Sequence, residues 1–266
     1  MTKEKGSILI LTLWILIILS IFSLIISKRA STDIRLAKYE SENIKAIYLA
    51  KAGVIKMIAE LGQDTNPYTS LNGDWHRHEN NTKEFKFGGG TVFYGAADEE
   101  ARLNLNSADL KKEHLTALGL DGNIAQYVLD YKSGKGDKGF EFMEELFLIE
   151  GVTYDVYSNI KDFITIYRGN DSKVNINTAG EKVLQAIVGD SGLVQEILGY
   201  RKGADGEEGT EDDGIFRDAS DMSANINGLD PSLFTIKSNF FRIWAASSFS
   251  EDKQMVKRIA SVADRS

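Results

Sequence analysis

Residues 102–108 read Arg-Leu-Asn-Leu-Asn-Ser-Ala, and residues 173–179 read Lys-Val-Asn-Ile-Asn-Thr-Ala. These are one phrase written twice, a base followed by alternating apolar residues and asparagines and then [ST]-A, and such self-similarity marks a duplicated supersecondary unit. The residues after each copy also match. Leu115 and Leu118 lead into Gly119 and Gly122, then Ile124, Val128 and Leu129, ending in Tyr131-Lys-Ser-Gly134. Val183, Leu184 and Ile187 lead into Gly189 and Gly192, then Val194, Ile197 and Leu198, ending in Tyr200-Arg-Lys-Gly203. Further on, Phe140-Glu-Phe-Met-Glu-Glu-Leu146 answers Phe216-Arg-Asp-Ala-Ser-Asp-Met222. Each copy is therefore expected to be a strand-like phrase, a helix, a tight turn, a helix and a third short helix. The short Asn, Ser and Thr side chains bond local amides, and they are expected to cap helices that start near Ala108 and Ala179.

Strand signals flank this helical stretch. Glu84-Phe-Lys-Phe87 and Thr91-Val-Phe-Tyr-Gly-Ala96 surround Gly88-Gly-Gly90, and Asn239 to Phe249 and Lys253 to Ala263 alternate about Ser250-Glu-Asp252. Both read as antiparallel hairpins. The economical fold is α+β, a sheet interrupted by a helical excursion, in which strands before residue 106 pair with strands after residue 238. Residues 64–81 are polar and turn-rich. His76 and His78 lie there as an i, i+2 pair with no nearby third ligand and are read as solvated loop histidines rather than a metal pair.

Upstream, the run from Ser7 to Ser27 has no charge, Gly or Pro, and as a helix it reaches across a hydrocarbon core of about 30 Å. No small-residue cleavage site follows it, so it is not a secretory signal peptide. The helical pattern continues through Ile34, Ala37, Ile44, Ile47, Tyr48, Val54, Ile55, Ile58 and Leu61 until Gly62 and Pro67. Lys3 and Lys5 favour a cytoplasmic amino end while Lys28 and Arg29 flank the other side; the short leader and the long acidic remainder favour the bulk outside the cytoplasm.

Gly6, placed after a short basic leader and before this run, resembles the class III leader of type IV pilins and type II secretion pseudopilins, although these residues alone also fit an ordinary signal anchor. The resemblance implies cleavage after Gly6 by a membrane-bound prepilin peptidase and methylation of the new amino terminus at Ser7. Taken with the long helix, the duplicated phrase and the closing hairpin, the whole chain is similar to the minor pseudopilin K family of type II secretion systems. That resemblance implies a pilin-type antiparallel sheet interrupted by a large all-helical insert of helix-hairpin-helix/SAM-like kind. The expected division is a leader over 1–6, a helix over 7–62 with its transmembrane part at about 7–27, the first sheet segment over 63–106, the insert over 107–237 and closing strands over 238–266. It further implies a single pass in the inner membrane with the C-terminal domain in the periplasm, the I and J minor pseudopilins as partners, and a role in capping and initiating the pseudopilus. Most pilins carry Glu at the fifth mature residue, where this chain has Leu11. A carboxylate in the bilayer is costly unless paired, and the resemblance implies that in pilins it pairs with the methylated amine of a neighbour. A subunit without one therefore suits the tip, where an axial neighbour is missing; the alternative is a membrane protein that never assembles.

Gly203 to Gly214 carries Asp205, Glu207, Glu208, Glu211, Asp212 and Asp213 among glycines. Hard oxygen ligands of this kind suit Ca2+, though the spacing is not that of an EF-hand. The loop resembles the G-A-D-G calcium loop of major pseudopilins, and calcium is implied by the K-family resemblance as well. Asp205, Asp212 and Asp213 are the expected ligands, followed by Glu208 and Glu211; a solvated acidic turn is the alternative.

Composition narrows the remaining functions. The chain has no Cys, and 31 Lys and Arg against 39 Asp and Glu give a formal charge of -8, which argues against a phosphate backbone as the main partner. The phrase with its hairpin also resembles the helix-hairpin-helix domain of competence DNA receptors. The turns Gly119-Leu-Asp-Gly122 and Gly189-Asp-Ser-Gly192, however, each hold an Asp that repels phosphate, and no nucleic-acid partner is expected. No nucleophile, triad or phosphate loop is recognisable, so no enzyme is expected. A minor pilin of a type IV pilus remains as an alternative machine.

Overall fold

A computed structural model of the chain describes residues 4–76, 82–168, 171, 173–248 and 256–265. Helix α1 spans Glu4–Gln63, 60 residues, or about 90 Å at 1.5 Å per residue. It starts three residues before the expected position and runs through Gly6. Its apolar half, from Ile8 to Ile26, is exposed throughout, and α1 is the one helix among the described residues long and apolar enough to cross a membrane.

The other half packs on a four-stranded antiparallel sheet of order β1-β2-β7-β8, formed by β1 (Lys83–Phe87), β2 (Gly90–Asp98), β7 (Phe240–Ser248) and β8 (Val256–Asp264). The strands before the helical stretch thus pair with those after it, Val92 opposite Ser247 and Asp98 opposite Phe241. Ala46, Leu49, Ala50, Val54, Met57 and Leu61 recur at three- and four-residue steps and are buried, so one stripe of α1 faces the sheet. Full burial of a side chain such as Met57 contributes about 1.5–3 kcal/mol. Gly53 sits where helix and sheet come closest; a Cβ there would lie 2.7 Å from Val92 and 2.8 Å from Ala245. Near the apolar half of α1, Ser247 Oγ donates to the Ala46 carbonyl at 2.6 Å; at the far end, Arg265 donates to the Leu61 carbonyl. Strands β2 and β7 reach that far end at Asp98 and Phe241, so the helical excursion leaves and re-enters the sheet at the end of α1 remote from its apolar half.

The excursion is two copies of one unit. The first is β3 (Leu103–Asn104), α2 (Lys112–Ala117), α3 (Gly122–Lys135), a 3-10 helix at Met143–Leu148, α4 (Tyr154–Ile160) and β4 (Ile164–Thr165). The second is β5 (Val174–Asn175), α5 (Glu181–Val188), α6 (Ser191–Arg201), α7 (Ala219–Asn225), a 3-10 helix at Pro231–Leu233 and β6 (Phe234–Thr235). Each phrase closes its unit by a parallel ladder, Leu103 with Ile164 and Val174 with Phe234. The unit therefore begins in the phrase, before the expected boundary at 107, and includes a fourth short helix and a closing strand. These last elements are too short to show a period in the sequence. Helices α2 and α5 pack together, and one continuous apolar core from Leu103 to Phe234 serves both copies.

Helix starts are also later than expected. Helices α2 and α5 begin after Lys111 and Gly180, so the phrase does not cap them. Asn104 and Asn175 do accept a local amide, from Asn106 at 3.0 Å and Asn177 at 3.0 Å. The second asparagine of each phrase instead clasps a distant backbone. Asn106 accepts from Phe140 N at 2.7 Å and donates to Phe140 O at 3.0 Å; Asn177 does the same to Phe216, at 2.9 Å each way. A buried peptide group needs both partners, and one side-chain amide supplies them.

Candidate functional site

Two clusters lie at the remote end of α1. The first is the joint between sheet and helical unit, where β2 ends at Asp98 and Glu99 and Glu100 follow, all three buried. Asp98 accepts from Ser238 Oγ and Thr178 Oγ1 at 2.6 Å each and from Asn175 Nδ2 at 3.1 Å. Burial raises its pKa against these hydrogen bonds. Glu99 meets Arg242 Nε at 2.6 Å and Arg102 at 3.6 Å. Glu100 meets Arg168 at 3.3 Å and accepts from Asn239 N at 2.7 Å; burial raises its pKa too, against the amide and the guanidinium. The run ties both copies and both central strands to one point. No pattern in the sequence marks it, because three acids between a strand and an asparagine phrase look like a solvated turn.

The second cluster is the acidic loop between α6 and α7. Asp212 Oδ2 accepts from the amides of Ala204 at 2.7 Å and Asp205 at 3.1 Å. Asp213 Oδ2 accepts from Gly209 N at 2.7 Å. Thr210 Oγ1 lies 2.8 Å from Asp212 Oδ1 and 3.0 Å from Asp213 Oδ1, so these two carboxylates share one hydroxyl. The Thr210 hydroxyl and the two amides hold Asp212 at about 2. Asp205 accepts from Glu207 N, and Glu208 pairs with Arg201 at 2.7 Å. Arg201 is itself buried and donates to the carbonyls of Ile176 and Ala179. The loop also touches the connection after α1, where Asn72 Nδ2 donates to Thr210 O at 3.5 Å.

The donors are of the right kind for calcium, since all are hard oxygens. Among the described residues, however, no group of three or more acidic or histidine side chains converges; Asp212 and Asp213 come together, while Glu208 turns to Arg201. Gly6 and Ser7 occupy the first turns of α1, far from both clusters, and Leu11 is 61% exposed on the apolar half. His76 is not solvated as expected: its Nδ1 lies 3.0 Å from Leu71 O, its ring packs beside Trp75, and burial lowers its pKa. His78 and the turn at 250–252 lie outside the described residues.

The hairpin amides that could grip a phosphate are already taken. Asp121 accepts from Asn123 N at 2.8 Å, and Asp190 accepts from Gly192 N at 2.7 Å and Leu193 N at 3.3 Å. Each Asp is an N-cap of the following helix.

No family model matches this chain, and no curated protein does. Among solved structures, the chain is similar to a chain of the crystal structure of the GspK-GspI-GspJ complex from the type 2 secretion system of enterotoxigenic Escherichia coli. The TM-score is 0.65 at 14% sequence identity, covering 85% of this chain and 92% of that one. The likeness is one of fold, a long amino-terminal helix with an antiparallel sheet and helices.

Proposed function

We propose that this chain is a minor pseudopilin of a type II secretion system, of the K kind, which caps the tip of a periplasmic pseudopilus and helps initiate it. One observation carries the reading: the bulky duplicated helical unit is inserted between the two central strands at the end of α1 remote from its apolar half. A subunit packed by its helix into a bundle of like helices would carry that unit outermost, where it obstructs the stacking of a further subunit. Leu11 supports the same position, because a helix without a carboxylate there has no charge to pair with a neighbour's amine.

In this reading α1 is anchored in the inner membrane and the sheet and helical unit lie in the periplasm. The partners are the I and J minor pseudopilins, the counterparts of GspI and GspJ in the similar complex. A prepilin peptidase cuts after Gly6. Mass spectrometry of the mature amino terminus tests the assignment: a chain beginning at methylated Ser7 is expected, and an intact Met1 on the assembled protein overturns it.

The acidic loop is proposed to take Ca2+, with Asp212 and Asp213 as the leading ligands and Asp205 and Glu211 beside them. Two carboxylates meeting at one hydroxyl repel each other, and a divalent cation relieves that repulsion. Calorimetry with calcium on the full chain in nanodiscs is expected to show binding that Asp212→Asn with Asp213→Asn removes. Absence of heat at millimolar calcium would sink this assignment without touching the pseudopilin one.

A further inference from the structure

The 3-10 helix Met143–Leu148 shows a burial period of three, as its three residues per turn require. Met143, Leu146 and Ile149 are buried. The other two faces carry exposed apolar side chains, with Glu145 between Phe142 and Leu148 tied to Tyr131 and Lys135. Phe142 is 66% exposed, Leu148 73% and Phe147 42%, with Tyr154 at the start of α4 71% exposed. Phe142 and Leu148 lie six residues apart, hence on one face. Phe147 shares the remaining face with Glu144, one turn back, and exposed Glu150 follows the end of the helix. Glu141 adds a further exposed carboxylate, 3.7 Å from the one nearby ammonium that pairs with it, Lys135.

The second copy is an internal control for this surface. Phe216 answers Phe140, and Asp218, Ser223 and Ala224 then stand in the order of Phe142, Phe147 and Leu148. Pro231 follows the capping Asp230 as Tyr154 follows the capping Thr153. Buried Met222 stands for buried Leu146, though exposed Ala219 and Asn225 stand where Met143 and Ile149 are buried, so the second copy folds with small or polar residues along this segment. Phe147 rests on the Tyr157 ring at 4.8 Å, but Phe142, Leu148 and Tyr154 have no aromatic or leucine counterpart in the second copy, and exposed apolar groups beside acidic side chains mark an interaction site.

We infer that Phe142, Phe147, Leu148 and Tyr154, rimmed by Glu141, Glu144 and Glu150, form a docking surface for a protein segment that presents aliphatic or aromatic side chains between Lys or Arg residues. The acidic rim chooses the partner. It repels anionic lipid and acidic chains and complements a basic one, raising the encounter rate and fixing register rather than supplying the bulk of the affinity. The inference is independent of the pseudopilin assignment, since it rests on the two copies alone.

The test uses the full chain in nanodiscs of zwitterionic lipid, with empty nanodiscs as the blank. The probe is a fluorescein-labelled peptide of alternating Lys with Leu and Phe, and its acidic counterpart has Glu for every Lys. Saturable binding of the basic peptide is expected by fluorescence anisotropy, weakened at least tenfold by the triple change Phe142→Asp, Phe147→Ser and Leu148→Ala. A second variant, Glu141→Gln with Glu144→Gln and Glu150→Gln, is expected to keep residual binding but lose its salt dependence. Equal binding to the triple variant, or equal binding of the acidic peptide, overturns the inference. So does sedimentation showing that wild-type nanodiscs pair through these residues, which would assign the surface to a second copy of this chain.

Discussion

The first copy of the helical unit turns from its second helix to its clasped phenylalanine within Gly136–Gly139, beside Lys132, which donates to Ser107 O. The second copy makes the same step through Gly203–Gly214, beside the buried Arg201, which donates to Ile176 O and Ala179 O. What the copies share is the set of places where backbone polar groups are buried: the parallel ladder, the asparagine clasp, and a cation on the carbonyls of the phrase. What they do not share faces water. The first copy carries an apolar patch and the second an acidic loop. The difference teaches that hydrogen-bond satisfaction in the interior constrains this unit, while its exterior was free to acquire two unrelated surfaces. Position matters as well. Asn175 reaches Asp98, Thr69 O and Ser238, whereas its counterpart Asn104 donates to Asp171 O, because only the second phrase lies against the joint.

The contrast is most sharply tested at the cations. Arg201→Ala leaves Glu208 and two buried carbonyls without their partner, and a loss of about 3–5 kcal/mol is expected. Lys132→Ala is expected to lose only about 1 kcal/mol, since its ammonium lies nearer water. Urea unfolding of both variants measures this, and equal losses would break the distinction between the copies. The clasp is expected to behave oppositely. Asn106→Ala and Asn177→Ala each strand a buried N–H and C=O, and each is expected to cost about 2–3 kcal/mol. Losses that differ several-fold would show that the two clasps are not equivalent.

Acid provides a finer comparison. Partial burial acts against Glu145, but the ammonium of Lys135, the amides of Glu141 and Phe142 and the Tyr131 hydroxyl hold it at about 2. Asp212 is held at about 2 in the other copy. Both folded values lie below the ordinary 4.5 and 3.8, so each group's contribution is complete above those values and is lost as pH falls from them towards 2. Carboxyl resonances followed by NMR titration are expected to move together in that window; a Glu145 titrating near the ordinary 4.5 would separate the copies. The smallest effect is expected from Phe142→Asp, Phe147→Ser and Leu148→Ala, each within about 0.5 kcal/mol of the parent in thermal unfolding. A large loss would mean that the patch is part of the core after all.

Much of this architecture was legible in the residues. The uncharged run from Ser7, the helical spacing that continues through Val54 and Leu61, and the alternation of β2 and β7 are local spacings, and local spacing is what a sequence displays. The duplication was legible for the same reason. Which stripe of α1 meets the sheet was not legible, since Ile44, Tyr48, Ile55 and Ile58 are exposed while Leu49 and Met57 are buried. The role of Asn106 and Asn177 was not either, since a cap was expected and a clasp is found. A cap partner lies within about three residues, whereas the clasp crosses 34 and 39 positions. The burial of His76 was equally hidden, because Trp75 and Leu71 shelter it only once the connection folds back on the sheet.

The sequence by itself thus determined the long helix, the interrupted sheet and the repeated unit, because each depends on periodic apolar residues whose preference for burial needs no knowledge of the partner. Only the tertiary structure decided what the polar residues do. Asp98, Glu99 and Glu100 became a joint, Arg201 a buried anchor, and Phe142, Phe147 and Leu148 a surface instead of core. A hydrogen bond or ion pair is specific to one partner, and here those partners stand far apart in the chain, 140 positions from Asp98 to Ser238.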